Sequence, residues 1–91
     1  MNYLKKIRLN KERQELDKLI IDFLNIGDYV SESYEKLGKK INVDANKIKG
    51  VIDLLTLAGI IEVIYQTDDY VFYKIKEGIN KNEIIRRIQR K

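Results

Sequence analysis

The sequence predicts an α+β fold: a three-helix core, a β-hairpin, and one further helix at the C-terminal end. Two observations carry this prediction. Apolar residues recur at helical period in three stretches before Gly59. Beyond Gly59 the period drops to 2, and β-branched and aromatic residues take over.

Each element has a local reason. Residues 3–9 (YLKKIRL) fit either a short strand or a helical lead-in, and residues 1–9 read as an N-terminal extension. Asn10 is a suitable N-cap for a first helix over 10–25. In it Leu16, Leu19, Ile20, Phe23 and Leu24 form one apolar stripe. Gly27 lies where the left-handed conformation ends a helix. Tyr29 and Val30 fit a very short strand. Ser31 can cap a second helix over 32–41, with Glu32 in its positive first turn. Tyr34, Leu37 and Ile41 would line its inner face. Asn42 tolerates the positive φ that a tight turn needs.

Asp44 then caps a third helix over 45–58, whose inner stripe is Ile48, Val51, Ile52 and Leu55. Gly59 closes it. IIEVIY (60–65) and YVFYKIK (70–76) flank the polar turn 66–69 and predict a hairpin. Ile61, Val63 and Tyr65 are expected to share a buried face with Val71, Tyr73 and Ile75. Gly78 ends the strand region. Asn80 and Glu83 have capping-box spacing at the start of a last helix over 81–90, carrying Ile84, Ile85 and Ile88.

Composition narrows the function. The 91 residues allow one domain, spanning 1–91. A chain of this size buries roughly 60–65% of its unfolded surface, so the core is small. Apolar residues make up 44% and charged residues 35%, which describes a folded domain. Zero Cys excludes a disulfide scaffold, a zinc finger and a thiol nucleophile. Zero His removes the usual general base and the commonest transition-metal ligand. The expectation is therefore no enzyme, no metal and no cofactor, and no small-molecule ligand is evident. No apolar run reaches the roughly 18–20 residues that span a bilayer. The first residues lack the apolar h-region of a secretory signal. The expected location is intracellular, in the cytoplasm. Abundant Lys, Glu, Ile and Tyr without Cys is a bias also seen in hyperthermophile proteins. An AT-rich genome enriches Lys, Ile, Asn and Tyr as well.

The net charge of +4 conceals its distribution. Residues 1–13 carry Lys5, Lys6, Arg8, Lys11 and Arg13 against Glu12 alone. Residues 74–91 carry seven basic groups against Glu77 and Glu83. The middle of the chain is acidic, except for Lys36, Lys39, Lys40, Lys47 and Lys49, which face only Asp44 within 36–49. Such clusters are either a solvated surface or the footprint of a polyanion.

Residues 31–61, SESYEKLGKKINVDANKIKGVIDLLTLAGII, resemble a winged helix-turn-helix DNA-binding domain. The resemblance extends over about 16–76 with the first helix and the hairpin. Gly38 stands where that family's second helix keeps a small residue under the crossing third helix. Asn42-Val43-Asp44 matches the turn, and Gly59-Ile60-Ile61 matches the exit into the wing. The resemblance implies that the third helix enters the major groove with its N-terminal half leading. Asn46, Lys47, Lys49, Gly50 and Asp53 then face the DNA. Asn46 suits adenine N6/N7, the two lysines suit phosphate or guanine O6/N7, and Asp53 suits cytosine N4. Gly50 costs about 1 kcal/mol relative to Ala in a helix, and either permits close backbone approach to a partner or is mere drift. Lys36, Lys39 and Lys40 would grip the flanking phosphates. The bland alternatives are solvated lysines, an Asn46 that supports the cap, and an Asp53 that serves solubility.

Two departures from the family pattern stand out. The wing tip carries Asp68 and Asp69, which repel DNA, and only Lys74 and Lys76 at its base can reach phosphate. Tyr70 and Phe72 fall on the outer face of the hairpin by alternation, where the ordinary role is packing against the terminal segments. Leu54 and Leu57 make the third helix apolar on a second side. They would be covered by Leu4, Ile7 and Leu9, by Ile84, Ile85 and Ile88 of the C-terminal helix (79–91), or by a second subunit. The C-terminal helix resembles the dimerisation helix of small winged-helix regulators. This implies a homodimer with recognition helices about 34 Å apart. The expected function is sequence-specific binding of double-stranded DNA by a transcriptional regulator. The alternative is a winged-helix protein-interaction module within a larger assembly.

Overall fold

A computed structural model describes residues 3–90, with side chains described from residue 13 onward. The described elements are α1 (Tyr3–Leu24), β1 (Tyr29–Ser33), α2 (Tyr34–Ile41), α3 (Ala45–Leu57), β2 (Ile61–Gln66), β3 (Tyr70–Ile75) and α4 (Lys81–Gln89). These four helices and one antiparallel sheet, ordered β1-β3-β2, form an α+β arrangement compatible with a winged helix.

The first helix starts earlier than Asn10. Residues 3–24 form one continuous helix, so Asn10 lies inside it and caps nothing. Nothing in YLKKIRLNKER breaks a helix, because no Gly or Pro occurs there and Asn in mid-helix costs only tenths of a kcal/mol, about 0.7 at most. The contacts expected of Leu4, Ile7 and Leu9 lie outside the described side chains. Phe23 and Leu24 are buried and Leu19 and Ile20 pack against the core, but Leu16 is exposed.

The second correction is at Ser31. β1 runs through Ser33, because Tyr29–Ser33 pairs residue for residue with Lys74–Tyr70. That ladder holds residues 31 and 32 extended. Ser33 is the cap instead, its Oγ accepting from the Lys36 amide at 3.2 Å, with Glu35 in the first turn. Gly27 does not take the left-handed conformation expected of it, and α1 ends earlier, at Leu24. Asn42 has φ 62° and ends α2. Asp44 Oδ1 accepts from the Lys47 amide at 2.9 Å, and Asn80 Oδ1 from the Glu83 amide at 3.2 Å. Gly59 has φ 75° and turns the chain from α3 into β2.

One layer of helices covers one face of the sheet. Leu37, Ile48, Ile52 and Leu55 meet Ile61, Val71 and Tyr73 in a single core. The expected pairing of Tyr65 with that core does not occur. β2 and β3 pair as Val63↔Tyr73 and then Tyr65↔Phe72, so one extra residue sits in β2. This bulge turns Tyr65 onto the outer face, where it is 59% exposed.

Tyr73 is the largest fully buried side chain and stacks on Phe23, with ring centroids 5.0 Å apart and planes 20° apart. Its hydroxyl has no hydrogen-bond partner among the described residues. Leaving a buried donor unmatched costs about 1–3 kcal/mol. Tyr73→Phe is therefore expected to raise the thermal midpoint by several degrees, read by circular dichroism melting. A lowered midpoint would show that the hydroxyl is satisfied. Burial also raises the Tyr73 pKa above its ordinary value of 10.0. An unfolded tyrosine ionises near pH 10 and the buried one does not. Ionisation of this group therefore leaves stability unchanged below pH 10 and lowers it as pH climbs further.

Candidate nucleic-acid interface

The corner between α2 and α3 is held by backbone contact. A Cβ built on Gly38 would lie 2.3 Å from the Val43 carbonyl oxygen. The Val43 amide donates to the Gly38 carbonyl at 2.9 Å. Only a hydrogen at position 38 allows the chain to turn this tightly, and the turn sets the angle at which α3 leaves. With Ile48, Val51, Ile52 and Leu55 all buried, helical period forces Asn46, Lys47, Lys49, Gly50 and Asp53 outward, and all five are exposed. Gly50 has open space where a side chain would be.

The cations around this corner differ in their partners. Lys36 of α2 lies 3.9 Å from Glu32 of β1, and Lys39 lies 3.7 Å from Glu35 one helical turn before it. Such exposed pairs are worth tenths of a kcal/mol, about 0.5, and yield easily to a phosphate. Lys40 and Lys47 form no ion pair among the described residues. Lys49 holds its Nζ 5.1 Å from the centre of the Tyr34 ring, a cation–π contact. The Tyr34 hydroxyl donates to Gln66 Oε1 at 3.5 Å. Desolvation raises the Tyr34 pKa, with smaller contributions from Asp53 and Asp68.

That last observation locates the acidic side of the site. Asp53 and Asp68 line one cleft with Lys49, between α3 and the hairpin tip. Positive charge therefore collects at the N-terminal end of α3 and the C-terminal end of α2. Negative charge collects toward the wing. The positive N-terminal end of the α3 dipole adds to the basic side.

Two predicted residues lie elsewhere. Val71 and Tyr73 of β3 face the core, so Lys74 lies on the opposite face of the sheet, across from Tyr29 and 4.0 Å from Glu62. Lys76 follows just beyond β3 and is exposed. Neither joins the α3 surface. The apolar residues also divide. Ile85 is 9% exposed and belongs to the chain's own core, and Ile84 packs against that core. α4 lies against α1 of the same chain. Ile88 lines a groove with Arg13, Gln14, Asp17 and Ile21. Leu54 and Leu57 remain 42% and 88% exposed.

Comparison with family models, with curated proteins and with solved structures yields no match. The geometry therefore carries the functional argument. No helix among the described residues is long and apolar enough to cross a membrane. Sequence reasoning missed Tyr29 and Tyr65 as surface aromatics. Tyr29 becomes visible once Val30 is known to be the buried residue of β1, and Tyr65 only once the bulge is known.

Proposed function

We propose that this chain is a sequence-specific double-stranded DNA-binding protein of the winged helix-turn-helix type, acting as a transcriptional regulator. α3 is the recognition helix. The observation that carries this reading is the Gly38–Val43 contact, which sets α3 against α2. It leaves Asn46, Lys47, Lys49 and Gly50 on one outward face beside Lys36, Lys39 and Lys40. The protein acts by occupying DNA or recruiting a partner to it, without chemistry of its own. Leu54 and Leu57 serve a homodimer contact in this reading. Ile85, committed to the core, does not.

The test is a fluorescence-anisotropy titration against mixed-sequence duplex DNA at two salt concentrations. Neutralising about six phosphates predicts a log–log salt slope near −5. Lys47→Ala is expected to weaken some sequences more than others, and Lys40→Ala to weaken all about equally. Absence of binding at low salt would refute the proposal.

A second reading, a protein-interaction module, is favoured by the 88% exposure of Leu57 and the acidic hairpin tip. It predicts no duplex binding at any salt concentration.

A further inference from the structure

The outer face of the sheet carries rings that the core does not use. Alternation along β3 sends Val71 and Tyr73 inward and Tyr70, Phe72 and Lys74 outward. In β1, Tyr29 lies opposite Lys74 and Ser31 opposite Phe72. In β2, the bulge sets Tyr65 opposite Phe72. The chain has six Tyr and two Phe, and four of these eight rings (Tyr29, Tyr65, Tyr70, Phe72) share this one face. Tyr70 is committed, because its hydroxyl bonds Ser31 Oγ. Tyr29 (73% exposed), Phe72 and Tyr65 form a diagonal band with one ring on each strand.

Single exposed aromatics are ordinary, but exposed Tyr29 and Tyr65 with half-buried Phe72 on one sheet face form a patch of the kind that marks an interaction site. Strands about 4.8 Å apart and diagonal neighbours about 7–8 Å apart hold the rings at fixed separations. Bases of a single strand are unstacked and free to lie on such rings, whereas bases inside a duplex are not. Two lysines lie beside the band. Lys74 and Lys76 sit at its Tyr29 end. Glu62, the acid facing Lys74, holds it only at the 4.0 Å limit of an ion pair. Next to Tyr29 a groove continues past Lys76, Glu77, Asn80 and Asn82 at the start of α4, and its Asp28 is held by Lys81 at 2.8 Å.

We infer that the outer sheet face is a binding platform for single-stranded nucleic acid. Tyr29, Phe72 and Tyr65 each stack a base, and Lys74 and Lys76 take the phosphates. This surface lies across the sheet from α3, so it is independent of the duplex-binding proposal.

The experiment uses the full chain, a fluorescein-labelled 12-mer of oligo(dT), the same length of oligo(U), and a hairpin duplex, all read by anisotropy at low salt. Tyr29→Ala and Tyr65→Ala are each expected to weaken oligonucleotide binding about tenfold or more. Tyr29→Phe and Tyr65→Phe are expected to bind normally, because the stacking surface is kept. Both positions are exposed, and melting curves check that the variants stay folded. Loss of duplex binding alone would sink the α3 reading and leave this one standing. No binding of either oligonucleotide, or binding indifferent to both alanine variants, overturns the inference. So does sedimentation showing a wild-type dimer that Tyr29→Ala/Tyr65→Ala dissociates without affecting oligonucleotide binding. The face would then be a contact between two copies of the chain.

Discussion

Gly38→Ala is expected to destabilise the fold by about 3 kcal/mol, at the upper end of the usual cost of overpacking. The added methyl would lie 2.3 Å from the Val43 carbonyl oxygen and 3.3 Å from its carbonyl carbon. The obstacle is backbone, not the movable end of a side chain. To escape it, the α2–α3 turn must open, and the Val43 amide must leave the Gly38 carbonyl it now bonds at 2.9 Å. Asn42 would also leave the left-handed conformation that closes α2. A domain of this size is stable by only about 5–10 kcal/mol, so the loss removes a third or more of the total. The midpoint of thermal unfolding is expected to fall by roughly 12–24 °C, since each kcal/mol shifts a domain this small by about 4–8 °C. Gly50→Ala is the control. Its Cβ meets nothing within 4 Å, and Ala is the better helix former, so stability is expected to rise by about 1 kcal/mol. Equal midpoints for Gly38→Ala and wild type would show that α2 and α3 do not cross as closely as described.

The second large effect is expected at the hairpin tip. Asp68 lines the cleft beside α3 with Lys49 and Asp53, so its charge opposes any polyanion laid along α3. Replacing Asp68 and Asp69 together with Lys changes the local charge by four. If the tip lies beside a bound duplex, each new lysine neutralises about one phosphate. The salt slope is then expected to steepen by nearly 2, and affinity near 0.1 M salt to rise about ten- to a hundredfold. Both residues are exposed, and the turn is held by Thr67, whose amide donates to the Tyr70 carbonyl and whose hydroxyl accepts from the Asp69 amide. Folding is therefore expected to survive the change. Unaltered affinity would place the tip away from the DNA and leave the α2–α3 corner as the whole contact.

Both effects depend on features that differ in how visible they are in the sequence. Gly38 and Asn42-Val43-Asp44 are local: a small residue, a residue tolerant of positive φ, and a carboxylate cap follow one another within seven positions. The outward residues of α3 are equally legible, because burial of Ile48, Val51, Ile52 and Leu55 leaves helical geometry only one place for Asn46, Lys47, Lys49, Gly50 and Asp53. The basic and acidic halves of that surface were not legible. They arise because the hairpin folds back and sets Asp68 beside Asp53 across a gap of fifteen residues.

Most of the corrected positions were decided by pairing or packing between elements. Ser31 and Ser33 are chemically equal caps, and the choice fell to Ser33 because β3 pairs with all of β1. Tyr65 obeys the alternation of its own strand until one unpaired residue in β2 shifts it to the other face. Lys74 and Lys76 look like the base of a DNA-reaching wing until the sheet places them behind α3. Ile85 looks available to a second subunit until α4 packs on α1. Caps, turns and helical stripes depend on residues within about one turn of each other, and the 91-residue chain states them openly. Which edge a strand pairs with, and which side of a sheet a charge occupies, depend on partners some forty positions away. Those were resolved when β1 closed against β3 around Tyr73, where burying apolar surface outweighs the local preference of any single residue.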